Sequence, residues 1–157
     1  MANFKTNAMR ILDTAKIKYN VYTYESGGDF DGQSVARKIG VDENCVFKTL
    51  VTVAPSKNHY VFVIPVNREL DLKACARAVG EKAVEMIAVK DITKVTGYIR
   101  GGCSPIGMKK KFATYIHESC MEHEKMAVSG GVCGVTLIMT PDDLISATDG
   151  ILCDVIS

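Results

Sequence analysis

Lys48 sits in Val46-Phe47-Lys48-Thr49-Leu50-Val51, a run otherwise suited to burial. An ammonium is costly to bury without partners. Two readings stand. The lysine lies on a solvated strand face or snorkels at an edge, or it is a cation fixed at a pocket rim to meet a phosphate or ribose oxygen. Two glycine loops, Gly101-Gly102 and Gly130-Gly131, are the second feature. Glycine admits positive φ, and amides clear of side chains can cradle an anion or polarise an ester carbonyl. Taken alone, each loop is equally a plain turn between strands.

The missing motifs narrow the chemistry. The chain has no G-x-S-x-G elbow, no Walker loop and no H-E-x-x-H. None of its three histidines, His59, His117 and His123, has the local context of a nucleophile partner. His117-x-x-Cys120-x-x-His123 offers three potential metal ligands and Cys133 a fourth. That spacing is not a standard zinc pattern. On a strand, residues three apart also point to opposite faces. Neither a metal nor a cofactor is therefore expected.

The elements that must position these residues follow from patterning. Thr6 is a plausible N-cap for a first helix in which Met9, Leu12 and Ala15 recur at helical spacing. Tyr19 to Tyr24 reads as a strand, broken by Gly27-Gly28. A second helix spans about Gln33 to Ile39 and stops at Gly40. Val46 to Ala54 and Tyr60 to Val66 form a hairpin around Pro55-Ser56-Lys57-Asn58. Asp71 caps a helix over Leu72 to Val79, which Gly80 ends. Val84 to Val89 reads as a strand and Asp91 to Val95 as a short helix ended near Gly97. Arg100 to Gly107, with three glycines and a proline, is a loop. Strands follow at Lys111 to His117, Lys125 to Val128 and Val135 to Thr140. Pro141 opens a last helix at its first position, and Ile151 to Ile156 closes with a strand. Helices scattered among hairpins point to an α+β fold with a mixed sheet rather than an alternating parallel one.

The length of 157 residues fits a single domain over 1–157. Hydrophobic residues at 47% and charged residues at 24% are ordinary for a globular protein. No apolar run approaches the roughly 18 residues of a membrane span. The start, Met1-Ala2-Asn3-Phe4-Lys5, lacks a signal-peptide core, so a cytoplasmic protein without a membrane partner is expected. Cys45, Cys75, Cys103, Cys120, Cys133 and Cys153 include no C-x-x-C pair and read as reduced thiols, several of them core residues. A net charge of +1 means that RNA contact must come from a local cluster. Lys109-Lys110-Lys111 is the densest basic run, a pattern that is more often a solvated turn.

Gly97-Tyr98-Ile99-Arg100-Gly101-Gly102-Cys103-Ser104-Pro105-Ile106-Gly107 resembles the G-Y-x-x-G-G-x-S-P-x-G signature of the YbaK/EbsC and prolyl-tRNA-synthetase-associated editing-domain superfamily. Three further segments agree in order: Phe47-Lys48-Thr49-Leu50, Glu69-Leu70-Asp71-Leu72-Lys73 and Val128-Ser129-Gly130-Gly131. The resemblance covers roughly Met9 to Val155. It implies a mixed, strongly bent, barrel-like sheet flanked by helices. It implies an aminoacyl-tRNA deacylase that clears mischarged tRNA(Pro), with Cys-tRNA(Cys) as a further candidate substrate. It places Lys48, Gly101 and Gly102 in catalysis. Tyr24, Phe30, Thr49, Ser104, Ser129 and Gly130 are placed in substrate binding. The implied partner is the 3′ aminoacyl end of tRNA, with prolyl-tRNA synthetase as a candidate docking partner.

In cysteine-specific relatives the substrate thiol is thought to attack its own ester and release a thiolactone. Such a protein needs amides and a positioning cation rather than a triad. If Gly101 and Gly130 both present amides, Gly→Ala at either should lower turnover more than stability. After Ser129-Gly130-Gly131 many relatives carry a basic and then a polar or acidic residue, whereas this chain has Val132-Cys133-Gly134-Val135-Thr136. That departure leaves cysteine and alanine both open as substrates. An alanine editor that positions a water, and a regulatory module that holds aminoacyl-adenosine or a nucleotide without turnover, remain the alternatives.

Overall fold

The structure is a computed structural model that describes residues 5–24, 35–37 and 40–157. Helix α1 (Asn7–Thr14) starts where Thr6 accepts a hydrogen bond from the Met9 amide at 3.2 Å. Its buried face is Ala8, Met9 and Leu12, while Ala15 caps the C-terminus and is exposed. Helix α2 (Leu72–Val79) is capped by Asp71, whose carboxylate accepts from the Lys73 and Ala74 amides, and ends at Gly80 with φ 76°. Helix α3 (Ile92–Thr96) stops at Gly97, φ 84°. Helix α4 (Pro141–Thr148) has Pro141 in its first turn and Thr140 as its cap. Positions 35–37 are helical and Gly40 has φ 75°, whereas the rest of the expected 33–39 helix lies outside the described residues. No helix among the described residues is long and apolar enough to cross a membrane.

Strands β2 (Phe47–Val53) and β3 (His59–Pro65) form the expected hairpin, paired from Phe47↔Pro65 to Val53↔His59. Strands β5 (Ala113–His117) and β8 (Ile151–Cys153) add in parallel beside β3, and β4 (Glu85–Met86) pairs antiparallel with the far end of β2. A second sheet orders β1 (Asn20–Thr23), β7 (Val135–Met139) and β6 (Met126–Ser129), all antiparallel. A bridge between Val46 and Ala127 joins the two sheets. The result is a strongly bent, mixed sheet that is not closed, flanked by helices.

The expected strand bounds shift by a residue or two at most sites, and the strands at 84–89, 111–117 and 151–156 are clearly shorter. Only Glu85–Met86 of 84–89 pairs, because the exposed Val89 opens a 3-10 turn. The last strand ends at Cys153. Beyond it, Val155 accepts from the Asp71 amide and Ile156 bridges Leu70, so the chain turns to pair with the segment before α2. After His117 the chain tightens into a 3-10 turn, Glu118–Glu122.

Strand alternation divides the core. Phe47 and Val51 of β2, with Val61 and Val63 of β3, face inward against β6, β7 and α1. Leu50, Phe62 and Ile64 face outward against Cys75 and Ala76 of α2. The Asp71 cap is what starts α2 over that outer face. Asp71→Ala should therefore cost about 1 kcal/mol, seen as a lower urea midpoint with an unchanged m-value.

Candidate functional site

A cleft of about 140 Å³ opens where the sheet bends between the start of β2 and the end of β6. Its walls include Val46, Phe47, Val66 and Val128, with Lys48, Thr49, Ser129, Thr136, Tyr24 and Gly101 supplying the polar groups. Lys48 and Thr49 are neighbours on β2 and so leave the strand on opposite faces. Lys48 shares the outer face with Leu50. Its ammonium lies 3.6 Å from a Glu69 carboxylate oxygen, with the side chains 27% and 82% exposed. The Glu69 backbone is held in turn by the Ser157 amide at 3.0 Å. Thr49 shares the inner face with Phe47 and Val51, and its buried hydroxyl has no hydrogen-bond partner among the described residues.

The glycine loops divide their tasks. Gly102 N–H donates to the Ile99 carbonyl at 2.9 Å, closing a turn whose third residue, Gly101, has φ 87° while Arg100 does not have positive φ. That is a type II turn, which needs glycine at its third position. The Gly101 amide finds no acceptor among the described residues, and Gly101 lines the cleft. Gly102 lies behind it. A Cβ there would fall 2.9 Å from Val132 Cα and 3.0 Å from the Cys133 amide nitrogen, so the two loops abut backbone to backbone. The Cys133 thiol donates to the Arg100 carbonyl at 3.6 Å and ties them further.

The second loop departs from expectation. Gly130 donates its N–H to Val135 at 2.8 Å within the β6–β7 hairpin, and a Cβ there would meet Val135 Cγ1 at 2.6 Å. Its amide is spent and its missing side chain faces the core, so it presents no free donor to an ester. Gly102 likewise has its amide engaged. Ser129 does reach the cleft, and its hydroxyl accepts from the Gly131 amide at 3.3 Å. Ser104 is fully buried and accepts from the Ile106 amide at 3.3 Å, holding the loop rather than lining the cleft. Tyr98 donates to the Ile106 carbonyl. Burial, with Cys103 close by, pushes the Tyr98 phenol up to about 12. Tyr24 lines the cleft with its amide bonded to the Gly134 carbonyl. Phe30 lies outside the described residues.

Lys48, Thr49, Gly101, Ser129 and Tyr24 thus meet in one place, and Cys103 and Thr136 join them without having been singled out as lining from sequence. Burial pushes the Cys103 thiol up to about 11, so it stays neutral. Among the described lining residues Lys48 is the one charged side chain, and none is a histidine or a carboxylate. Such a cleft can orient an anionic or ester-bearing ligand. Its described walls supply no general base near neutrality.

The histidines and most cysteines are elsewhere. His117 accepts from the Ser119 amide at 3.1 Å, contacts the Ser119 hydroxyl at 2.8 Å and reaches Asp154 at 3.3 Å, capping the 118–122 turn. His123 lies 3.4 Å from the Cys45 sulfur, while Cys120 is in the inner core. The strand argument against a His117/Cys120/His123 metal set fails, because this segment is a 3-10 turn. The side chains nonetheless diverge. Among the described residues no three His, Cys, Asp or Glu side chains are placed to hold a metal.

Comparison with known proteins bears on this geometry. The model of the aminoacyl-tRNA editing domain family matches residues 30–147. The Enterococcus faecalis protein named "Putative Cys-tRNA(Pro)/Cys-tRNA(Cys) deacylase EbsC" is 46% identical over 147 residues, covering 93% of this chain and 90% of that protein. The crystal structure of "a putative trans-editing enzyme for prolyl tRNA synthetase" superposes with a TM-score of 0.85 at 22% identity over 99% of each chain. That of a hypothetical protein does so with a TM-score of 0.89 at 20% identity, over 97% of this chain and 100% of the other. At those identities the two crystal structures establish the shared fold.

Two substitutions should move stability in opposite directions. Thr49→Val removes an unpaired buried hydroxyl, which costs about 1–3 kcal/mol to leave unsatisfied, and should raise the unfolding midpoint in urea. Gly130→Ala should lower stability by about 1–3 kcal/mol through overpacking against Val135. A Gly130→Ala protein as stable as wild type would mean that the hairpin interior has room the distances deny.

Proposed function

The chain belongs to the aminoacyl-tRNA editing-domain family, and from that premise we propose that it is a trans-acting aminoacyl-tRNA deacylase that removes cysteine from mischarged tRNA(Pro). Cys-tRNA(Cys) is a further substrate on this reading. One observation carries it. The cleft combines a cation and an unengaged glycine amide beside the buried orphan hydroxyl of Thr49, and no described wall residue is a histidine or carboxylate that could act as a base near neutrality. A site of that kind positions an ester; the attacking group belongs to the substrate.

On this reading Lys48 meets a phosphate or ribose oxygen of the 3′-terminal adenosine. The Gly101 amide donates to the carbonyl oxygen as negative charge develops there, and Thr49 and Ser129 orient the aminoacyl group. The substrate sulfur attacks the ester carbon. A C–S bond forms and the C–O bond to ribose breaks. The thiol proton ends on the departing ribose oxygen by way of solvent, and the products are a cyclic thiolactone and free tRNA. Loss of the sulfur removes the nucleophile itself, which separates cysteine from serine further than a shape-based pocket would, since that is worth on the order of 1–3 kcal/mol. A neutral Cys103 does not compete as a thiolate.

The hydroxyls of Thr49, Thr136 and Ser129 favour one second reading, an alanine editor in which they hold an attacking water. Prolyl-tRNA synthetase as a docking partner and a cytoplasmic setting accord with either.

Deacylation of tRNAs charged with cysteine, alanine, serine and proline tests the assignment. Cys-tRNA should be cleaved fastest, and S-methylation of the substrate thiol should stop turnover while binding persists. Equal rates on Ala-tRNA would transfer the assignment to the water mechanism. Lys48→Ala should nearly abolish turnover yet melt like wild type, because an ion pair with an exposed Glu69 is worth about 0–1 kcal/mol. The rate should rise tenfold per pH unit up to the substrate thiol's own value, near about 8.5 for an ordinary thiol. A bell centred near neutrality would instead reveal a protein base.

A further inference from the structure

Helix α2 carries a groove of about 410 Å³ that is separate from the cleft. Lys73, Arg77 and Lys82 stand around it over an apolar floor that includes Leu72, Ala76 and Val84. Lys73 and Arg77 are four residues apart and so share a helix face. Lys82 joins them after Gly80 turns the chain out of the helix. All three are exposed, and none makes an ion pair among the described residues.

Against these three cations one carboxylate, Glu81, also lines the groove and keeps its negative charge. Asp71 caps α2. Glu81 accepts from the Tyr60 hydroxyl at 2.6 Å, the Ser56 hydroxyl at 2.9 Å and the Asn58 amide at 3.4 Å, and the Tyr60 bond is the main reason its carboxyl is held below the usual range. The densest basic run in the sequence is less available. Lys111 is paired with Asp149, and the Lys109 ammonium donates to the Lys94 carbonyl at 3.4 Å.

The start of α2 lies close in the chain to the cleft rim. Glu69, which contacts Lys48 at the rim, precedes the α2 cap by two residues, and the eight-residue helix leads away for about 12 Å. We infer that this groove binds the phosphodiester backbone of the RNA whose aminoacylated end occupies the cleft. The inference rests on the deacylase reading for that occupant, and for the surface on three cations, unpaired among the described residues, against one carboxylate and on the short stretch of chain between the cleft rim and α2.

The test uses three proteins: wild type, Lys73→Gln/Arg77→Gln/Lys82→Gln, and a control with Lys109→Gln/Lys110→Gln/Lys111→Gln. Each is measured for kcat/KM on Cys-tRNA and on 3′-O-cysteinyl-adenosine, and for Kd with uncharged tRNA, over a salt series. Each phosphate contact on a single strand contributes about 0.7 to the log–log salt slope. The groove variant should therefore lose about 2 from that slope in both tRNA measurements. Its turnover of cysteinyl-adenosine, which has no backbone to reach the groove, should match wild type and reports an intact cleft. An unaltered tRNA slope, an equal loss on cysteinyl-adenosine, or a slope change confined to the control variant would overturn the inference. If wild type cleaves neither ester, the deacylase reading fails, and the tRNA Kd slopes still decide whether the groove binds RNA.

Discussion

Strand β2 is covered on both faces, and much of the molecule follows from that. Its inward residues Phe47 and Val51 belong to the core shared with the three-stranded sheet and α1, and its outward Leu50 belongs to the core under α2. A strand in that position has no free face for a charge. Lys48 is tolerated because it lies near the end of the strand, where the Val46↔Ala127 bridge bends one sheet into the other and a cleft opens. The side chain is mostly covered while the ammonium reaches Glu69 at 3.6 Å, as a long amphipathic side chain allows. The bend thus creates the cleft and the one location where the lysine is affordable.

The same bend brings the two glycine loops together. Their contact is backbone against backbone, since a Cβ at Gly102 would meet Val132 and Cys133 at 2.9–3.0 Å. This assigns different work to adjacent glycines. Gly102 allows the approach, Gly130 keeps the hairpin interior clear, and Gly101 takes the left-handed position of a type II turn that leaves its amide uncommitted. Thr49 lines the same space, and its hydroxyl is buried without a partner among the described residues. The free protein therefore holds polar capacity that its own fold does not satisfy, which is expected of a preorganised binding site.

Lys48 could be singled out in the sequence because a cation within an apolar strand is a local conflict. The caps at Thr6 and Asp71, the helix start at Pro141 and the stops at Gly80 and Gly97 were legible because they depend on residues within one turn of each other. Val84 to Val89 misled because its composition suits a strand, yet only Glu85 and Met86 find a partner in β2. Cys103 and Thr136 gave no signal. A buried thiol and a strand threonine look the same in sequence whether they face a core or a cleft.

By itself the sequence determined the local elements, their order, the family signature and the suspicion attached to Lys48, because periodicity, capping and turn chemistry act over a few residues. Tertiary structure decided which amides are free. Gly101, Gly102 and Gly130 are equivalent as residue types; the turn type adopted at 99–102 engages Gly102 with the Ile99 carbonyl, the register of the β6–β7 hairpin engages Gly130 with the Val135 carbonyl, and the Gly101 amide is left. It decided the electrostatics in the same way. Lys109-Lys110-Lys111 is contiguous in the chain and partly spent on local partners, whereas Lys73, Arg77 and Lys82 are dispersed and meet around one groove. Charge density along a chain does not set charge density in space, because a helix and the turn after it gather residues that the sequence keeps apart.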